Sequence, residues 1–232
     1  MLSSGCVLLL FAAALACAQE TTFTTRVVVH GPHGSAKKYS SKNVVVWLTP
    51  IGFDAKQPSL QHYRLVQHNK SFEPHILVVP VGAVVEFPNH DPFFHNVFSL
   101  FEGKRFDLGL YEAGSTREVR FDKPGISYIF CNIHAQMSAV VVSVTTPYYG
   151  VSDANGDVSI ANVPVGRYKL RIWYESAPEP LDATTREITI SQTDSGIAKL
   201  YLEAAEIPTT HKNMYGHDYE PPQPSSPAYE RP

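Results

Sequence analysis

Cysteine, histidine and methionine side chains lie close together in one stretch of the sequence, 131–137, and His95 lies farther upstream. A thiolate and two imidazoles, with a thioether at longer range, are the ligands of a trigonal copper centre that transfers electrons. The sulfurs suit Cu(I) and the nitrogens suit Cu(II). We therefore predict that His95, Cys131, His134 and Met137 bind one copper ion. The alternative is a buried free cysteine with unrelated histidine and methionine residues nearby.

The spacing Cys-x2-His-x2-Met requires a tight loop, because it places three donors within seven residues. Runs rich in β-branched and aromatic residues flank this stretch at 126–130 and 138–144, which predicts a strand on each side of the loop. His95 follows another such run that begins at Val84, so a separate strand is expected to bring it alongside the loop.

His95-Asn96-Val97-Phe98, together with Cys131-x2-His134-x2-Met137, resembles the type 1 copper signature of the cupredoxins over about residues 60–146. The short ligand loop is similar to that of amicyanin. The resemblance implies a Greek-key β-sandwich in which Met137 is a weak axial ligand. It also implies that Asn96 hydrogen-bonds across to the cysteine-bearing loop, although a plain turn residue is an alternative for Asn96. Bonds of this kind orient the ligands.

Residues 1–18 have the form of a secretory signal peptide, with an apolar core followed by Ala16-Cys17-Ala18. The first residues lack Lys and Arg, which departs from the usual pattern, and the residues before Cys17 match a lipoprotein signal poorly. The apolar run is shorter than the roughly 20 residues that span a membrane. We therefore predict export, with a periplasmic or secreted mature protein and no membrane span.

Removal of the signal peptide leaves Cys131 as the single cysteine, since the chain has three and the other two are Cys6 and Cys17. One thiol cannot form an internal disulfide. A free thiol in an oxidising compartment is prone to oxidation unless it is protected. Metal ligation supplies that protection, so this argument supports the copper site without using the resemblance.

Composition predicts an all-β protein of one or two domains, because Val, Ile, Tyr and Phe runs alternate with Gly, Pro and Asn along all 232 residues. A net charge of −3 gives no sign of a nucleic-acid partner. No His-x-His pair occurs, which argues against the copper clusters of multicopper oxidases. Neither a Ser/His/Asp set nor paired carboxylates stand out, and His90 is predicted to be surface loop. We predict that the chain is not an enzyme.

A second β unit is predicted over 147–205. Its motifs, Asp153-Ala154-Asn155-Gly156 and Asn162-Val163-Pro164-x-Gly166-x-Tyr168, resemble the carboxypeptidase regulatory-like β-sandwich, a smaller second sandwich that the family uses for structure or binding. The usual first strands are missing from this range. Residues 23–50 either supply them or belong to a copper domain over 19–146. The Pro-rich residues 206–232 are predicted to be a disordered tail.

The favoured hypothesis is an exported carrier of single electrons between redox partner proteins. By resemblance, the His134 edge would reach the surface through an apolar patch, which a partner would contact; its candidate residues are Phe93, Phe94, Ile133 and Ala135, although Phe93 and Phe94 are equally well explained as core. The alternative hypothesis is a module that stores copper, or that binds a ligand or protein without catalysis. Sandwiches like the second unit often have such roles.

Overall fold

The computed structural model of the protein describes residues 19–32, 39–57, 61–100, 103–177, 185–205 and 210–219. These residues form only strands and connecting segments, which confirms the prediction of an all-β protein. In chain order β1 to β17 are Glu20–His30, Val45–Ile51, Tyr63–Arg64, Val66–His68, Ser71–Glu73, Ile76–Pro80, Val84–Pro88, His95–Ser99, Phe106–Tyr111, Thr116–Arg120, Gly125–Cys131, His134–Val144, Tyr149–Val151, Asp157–Pro164, Gly166–Trp173, Arg186–Ile190 and Gly196–Glu203. Within the described residues, no helix is long and apolar enough to cross a membrane.

The central sandwich contains β3 to β12. Its larger sheet has the order β6-β12-β11-β8-β9, and the smaller facing sheet has the order β10-β7-β3. Alternate side chains of both sheets meet in one core, as expected when each strand buries one face. That core contains Cys131 and Met137 beside Phe87, Val97 and Ile129.

The outer sandwich contains β1, β2 and the strands after residue 148. One sheet has the order β14-β1-β17, and the other has the order β13-β2-β15-β16. Both β1 and β2 therefore pair with strands from the C-terminal part of the chain. Of the two placements considered for residues 23–50, the one in which they supply the first strands of the second β unit has these pairings, and the central sandwich lies in the chain between β2 and β13.

The two sandwiches stack through a third core, in which Trp47 and Trp173 pack against Val78, Val140 and Val142. This contact explains why 44–48 and 139–142 are apolar without interruption. Their alternate residues face the core of their own sandwich on one side and the third core on the other. Strands buried on both faces lose the alternation of polar and apolar residues.

Residues 210–219, called here the C-terminal segment, pack against the turn between β11 and β12. These ten residues belong to the range 206–232 that the sequence predicts to be a disordered tail, and the other residues of that range lie outside the described residues. The predicted signal peptide, with Cys6 and Cys17, lies outside the described residues.

Candidate metal centre

Cys131 and His95 approach each other because β11 and β8 are neighbours in the larger sheet of the central sandwich. Cys131 ends β11 and His95 begins β8, and both are fully buried. The Cys131 Sγ atom lies 3.7 Å from the His95 Nδ1 atom. The expectation that a separate strand brings His95 beside the cysteine-bearing loop matches this placement.

His134 joins the group through a tight turn. Asn132 and Ile133 form the turn, and β12 already begins at His134, which lies opposite Cys131. The loop is thus shorter than the seven residues considered in the sequence. The His134 Nδ1 atom lies 3.5 Å from the Cys131 Sγ atom, and one donor atom from each of His95, Cys131 and His134 lies within 4.8 Å of the other two. This group can hold one metal ion.

Met137 lies in the same core as Cys131 and is 1% exposed. It is three residues beyond His134 on β12. Its role as a ligand stays a prediction.

Asn96 hydrogen-bonds to the turn between β11 and β12, as the cupredoxin resemblance implies. Its Oδ1 atom accepts a hydrogen bond from the Asn132 backbone N–H at 3.2 Å, and its Nδ2 atom donates to Asp107 at 2.7 Å. The carboxylate of Asp107 thereby fixes the amide orientation of Asn96. The bond spans the two strands that carry His95 and Cys131, so it limits their separation.

Asp91 is a partner of His95 that the sequence analysis missed. Its Oδ2 atom lies 2.7 Å from the His95 Nε2 atom, and the backbone N–H groups of Asn69 and Lys70 donate to the same carboxylate at 2.7 and 2.9 Å. With Nε2–H donating to Asp91, the lone pair of His95 lies on Nδ1, the nitrogen nearest Cys131. The spacing of four residues between Asp91 and His95 was the available signal.

The loop that carries Asp91 is fixed by Asn89, which is fully buried. The Asn89 side chain accepts a hydrogen bond from the Asp91 N–H at 3.0 Å and donates to the Phe93 carbonyl at 2.8 Å. His90, between them, is exposed, as predicted for a surface loop. The hydrogen bonds of Asn89 therefore fix the backbone at Asp91 and Phe93.

Burial dominates the electrostatics of the group. It lowers the pKa of His134 to about 4, with the neighbouring His95 as the second cause. It also lowers the pKa of His95, against the opposing effect of Asp91, and raises the pKa of the Cys131 thiol. At neutral pH the imidazoles are thus uncharged and can donate lone pairs, and a metal ion would displace the thiol proton on binding.

The four residues of the predicted apolar patch differ in exposure. Phe94 is 47% exposed, and Ile133 and Ala135 are half-buried. Phe93 is half-buried, and its ring centre lies 5.2 Å from that of His95 and 5.8 Å from that of His134. Phe94 is therefore not core, and Phe93 screens both imidazoles from water on one side.

Neither a protein-family profile nor a curated protein matches the chain. Among solved structures it is similar to a purple cupredoxin from Nitrosopumilus maritimus, with 23% identity over 35% of this chain and 99% of that one and a TM-score of 0.33. It is similar to a copper-containing nitrite reductase from Thermus scotoductus SA-01, with 25% identity over 41% of this chain and 25% of that one and a TM-score of 0.35. A variant of amicyanin is 20% identical over 40% of this chain and 90% of its own, with a TM-score of 0.34. Each alignment covers less than half of this chain, so the interpretation of the site depends on the geometry described above.

Proposed function

We propose that this protein is a copper protein that carries single electrons between redox partners. The observation that carries the proposal is the buried group in which the Cys131 thiol lies within 3.7 Å of the nearest nitrogens of His95 and His134. One soft sulfur with two imidazole nitrogens is the donor set of a trigonal electron-transfer copper centre. Copper bound there supplies a one-electron couple.

The residues around the group give it the rigidity that electron transfer needs. Asp91 orients His95, Asn96 ties the turn to β8, and Phe93 excludes water from one side of the two imidazoles. Held in this way, the donor atoms have little freedom to move between two oxidation states. Met137 would be the weak axial ligand, and its thioether would adjust the reduction potential.

Docking of a partner would use the surface near His134. Phe94 and Leu110 expose apolar surface, 47% and 60% respectively, and Leu110 lies opposite Asn96 in the sheet. Both therefore lie beside the strand that His95 begins.

Export to the periplasm or beyond completes the proposal, on the evidence of the signal-like residues 1–18 and the single remaining thiol. The outer sandwich would be the carboxypeptidase regulatory-like unit, with a structural or binding role rather than a catalytic one.

Spectroscopy with voltammetry tests the proposal. The copper-loaded chain is expected to show an intense visible absorption from thiolate to Cu(II), which disappears on reduction and returns on oxidation. Reversible voltammetry of the same sample measures the electron exchange. Stable copper without reversible exchange would instead favour a storage protein, and a protein that binds no copper would contradict both.

A further inference from the structure

The C-terminal segment packs against the turn of Asn132 and Ile133 between β11 and β12, called here the ligand turn. The Tyr219 hydroxyl donates a hydrogen bond of 2.7 Å to the carbonyl oxygen of Cys131. The backbone N–H of His211 donates to the Ala135 carbonyl at 3.1 Å, and the His211 Nε2 atom lies 3.3 Å from the carbonyl oxygen of His134. The carbonyls of Cys131 and Ala135 thus accept hydrogen bonds from a remote part of the chain. The His134 carbonyl accepts one when His211 carries its ring proton on Nε2 rather than on Nδ1, which lies 2.8 Å from the Lys212 carbonyl.

Asn132, in the middle of the turn, is held from two directions. Its side-chain oxygen accepts a hydrogen bond from the Met214 backbone N–H at 2.8 Å, while its own backbone N–H donates to Asn96. The turn therefore lies between β8 on one side and the C-terminal segment on the other. A shift of the turn in either direction breaks at least one of these bonds.

Ring packing adds to the hydrogen bonds. The His211 ring lies against the ring of Phe130, with centres 4.3 Å apart and planes 30° apart. The ring of Tyr219 meets His211 edge-on, with centres 5.4 Å apart. Both His211 and Tyr219 are half-buried, so the packing of their rings excludes water from the residues on either side of Cys131 in the chain.

The segment also has a defined local structure. The Asn213 side chain accepts hydrogen bonds from the N–H groups of Tyr215 and His217, each at 3.0 Å. Gly216 closes this turn with a φ of +81°, a conformation that residues with a Cβ atom rarely adopt. Its residues thus reach the ligand turn from an ordered turn rather than from an extended chain.

We propose that the C-terminal segment positions the ligand turn, with Tyr219 and His211 as the positioning residues. This inference rests on the proposed function, because it assigns the segment a role toward the copper ligands. The Tyr219 hydroxyl fixes the peptide plane that follows Cys131, and His211 fixes the planes that follow His134 and Ala135. The segment thereby opposes separation of the Cys131 and His134 donor atoms.

Hydrogen–deuterium exchange of the full chain without metal tests whether the C-terminal segment stabilises the ligand turn. Tyr219→Phe removes the hydroxyl and keeps the ring, and His211→Ala removes the ring with its packing on Phe130 and its contact with the His134 carbonyl. Each is expected to speed exchange of the amides over 130–136 by about fivefold, the value for the loss of one net hydrogen bond. The matched controls are Tyr215→Phe and His217→Ala in the same segment, since Tyr215 is 73% exposed and His217 is also exposed. Unchanged exchange in both test variants, or equal acceleration in the controls, would overturn the inference.

Copper-loaded protein tests the positioning role. Tyr219→Phe is expected to shift the thiolate-to-copper absorption and the reduction potential, and to release copper to a chelator several times faster than the wild type, while Tyr215→Phe leaves all three unchanged. Faster exchange with an unchanged spectrum, potential and release rate would overturn positioning, since the segment would then contribute only local stability. If the wild type itself binds no copper, the proposed function is wrong, and the exchange of the metal-free protein still decides whether the C-terminal segment stabilises the ligand turn.

Discussion

The central and outer sandwiches have the same architecture and differ in what they bury. The outer core is aliphatic and aromatic, and its buried Ser152 serves the local fold by donating to Ser41 and accepting from Val44. The central core encloses a set of polar side chains near one end of its sheets, namely Gln67, Asn89, Asp91, His95 and Asn96. Buried polar groups require hydrogen-bond partners, and here the partners orient other side chains. Two sandwiches of one chain thus show that the fold class does not determine chemistry, which depends on a few residues at one edge.

The strongest test of this contrast is Cys131→Ser. A hydroxyl is a poor ligand for Cu(I), so the variant is expected to lose the visible absorption completely and to lose tight copper binding. Titration with copper, followed by absorption and by circular dichroism, measures both effects and the retention of fold. Retention of the band with unchanged affinity would contradict the ligand assignment.

A substitution in the core of the outer sandwich tests the opposite case, in which stability changes and the copper site does not. Leu170→Ala removes a fully buried side chain from the outer core and is expected to lower the free energy of unfolding by about 2–5 kcal/mol. Denaturant unfolding measures the loss. The copper absorption of the folded variant should equal that of the wild type. A changed spectrum would show that the site depends on the outer core.

Asp91→Asn examines the hydrogen-bonded partner of His95. The amide keeps the shape of the side chain and loses the charge that Nε2–H of His95 faces at 2.7 Å. Copper affinity is expected to fall about 10- to 100-fold, the range for such partners of metal ligands. Competition with a chelator measures the affinity. Equal affinity in Asp91→Asn and the wild type would mean that the backbone alone orients His95.

Met137→Leu separates the thioether from the packing. Leucine fills a similar volume, so the expected loss of stability is below about 1.5 kcal/mol. Copper should stay bound while the reduction potential changes, because an axial thioether ligand would bind only weakly. Voltammetry of the loaded variant measures the change. Loss of copper would give Met137 a larger role than an axial ligand.

The smallest expected effect lies between the two sandwiches. His75, before β6, has Nε2 2.6 Å from the carboxylate of Glu175, after β15, and Nδ1 3.2 Å from the Ser138 carbonyl. The hydrogen bond to Glu175 raises the pKa of His75 above its ordinary 6.5, and burial opposes it. The group is 40% exposed, so solvent screening limits its contribution to less than about 1 kcal/mol.

The sign of this pH effect follows from the raised pKa. Charged His75 stabilises the fold fully below about pH 6.5, and the contribution is lost as the pH rises through the higher folded-state pKa. Urea unfolding across this pH interval measures the change in the free energy of unfolding. Lys42 and Tyr174 line the same small pocket as His75 and are not substituted. His75→Gln should remove this dependence of the free energy of unfolding on pH. An equal dependence in His75→Gln would assign the effect to another group.

Prediction from sequence succeeded where the pattern has a local cause. The strands around the ligand turn follow from their apolar runs, and the closeness of Cys131 and His134 follows from their spacing of three residues. What was missed is non-local. The pairing of β1 with β17 is parallel and joins opposite ends of the described chain, and periodicity carries no information about partners.

The C-terminal segment was missed for a different reason. It is polar and followed by prolines, so its composition matches that of disordered chain, and many of its contacts use backbone carbonyls and N–H groups, which no residue type marks. Asp91 was overlooked because a carboxylate in a loop before a histidine is common on surfaces. Its burial distinguishes it, and burial depends on the tertiary fold.

The insertion of the central sandwich between β2 and β13 has a mechanical consequence. Its chain leaves and re-enters the outer sandwich through two strands that are neighbours in one sheet, with Tyr149 opposite Trp47. A domain joined by one linker can rotate about it, whereas the central sandwich is joined at two adjacent points and packs on two tryptophans, which restricts its rotation. A partner that binds the outer sandwich therefore also sets the direction in which the ligand turn faces.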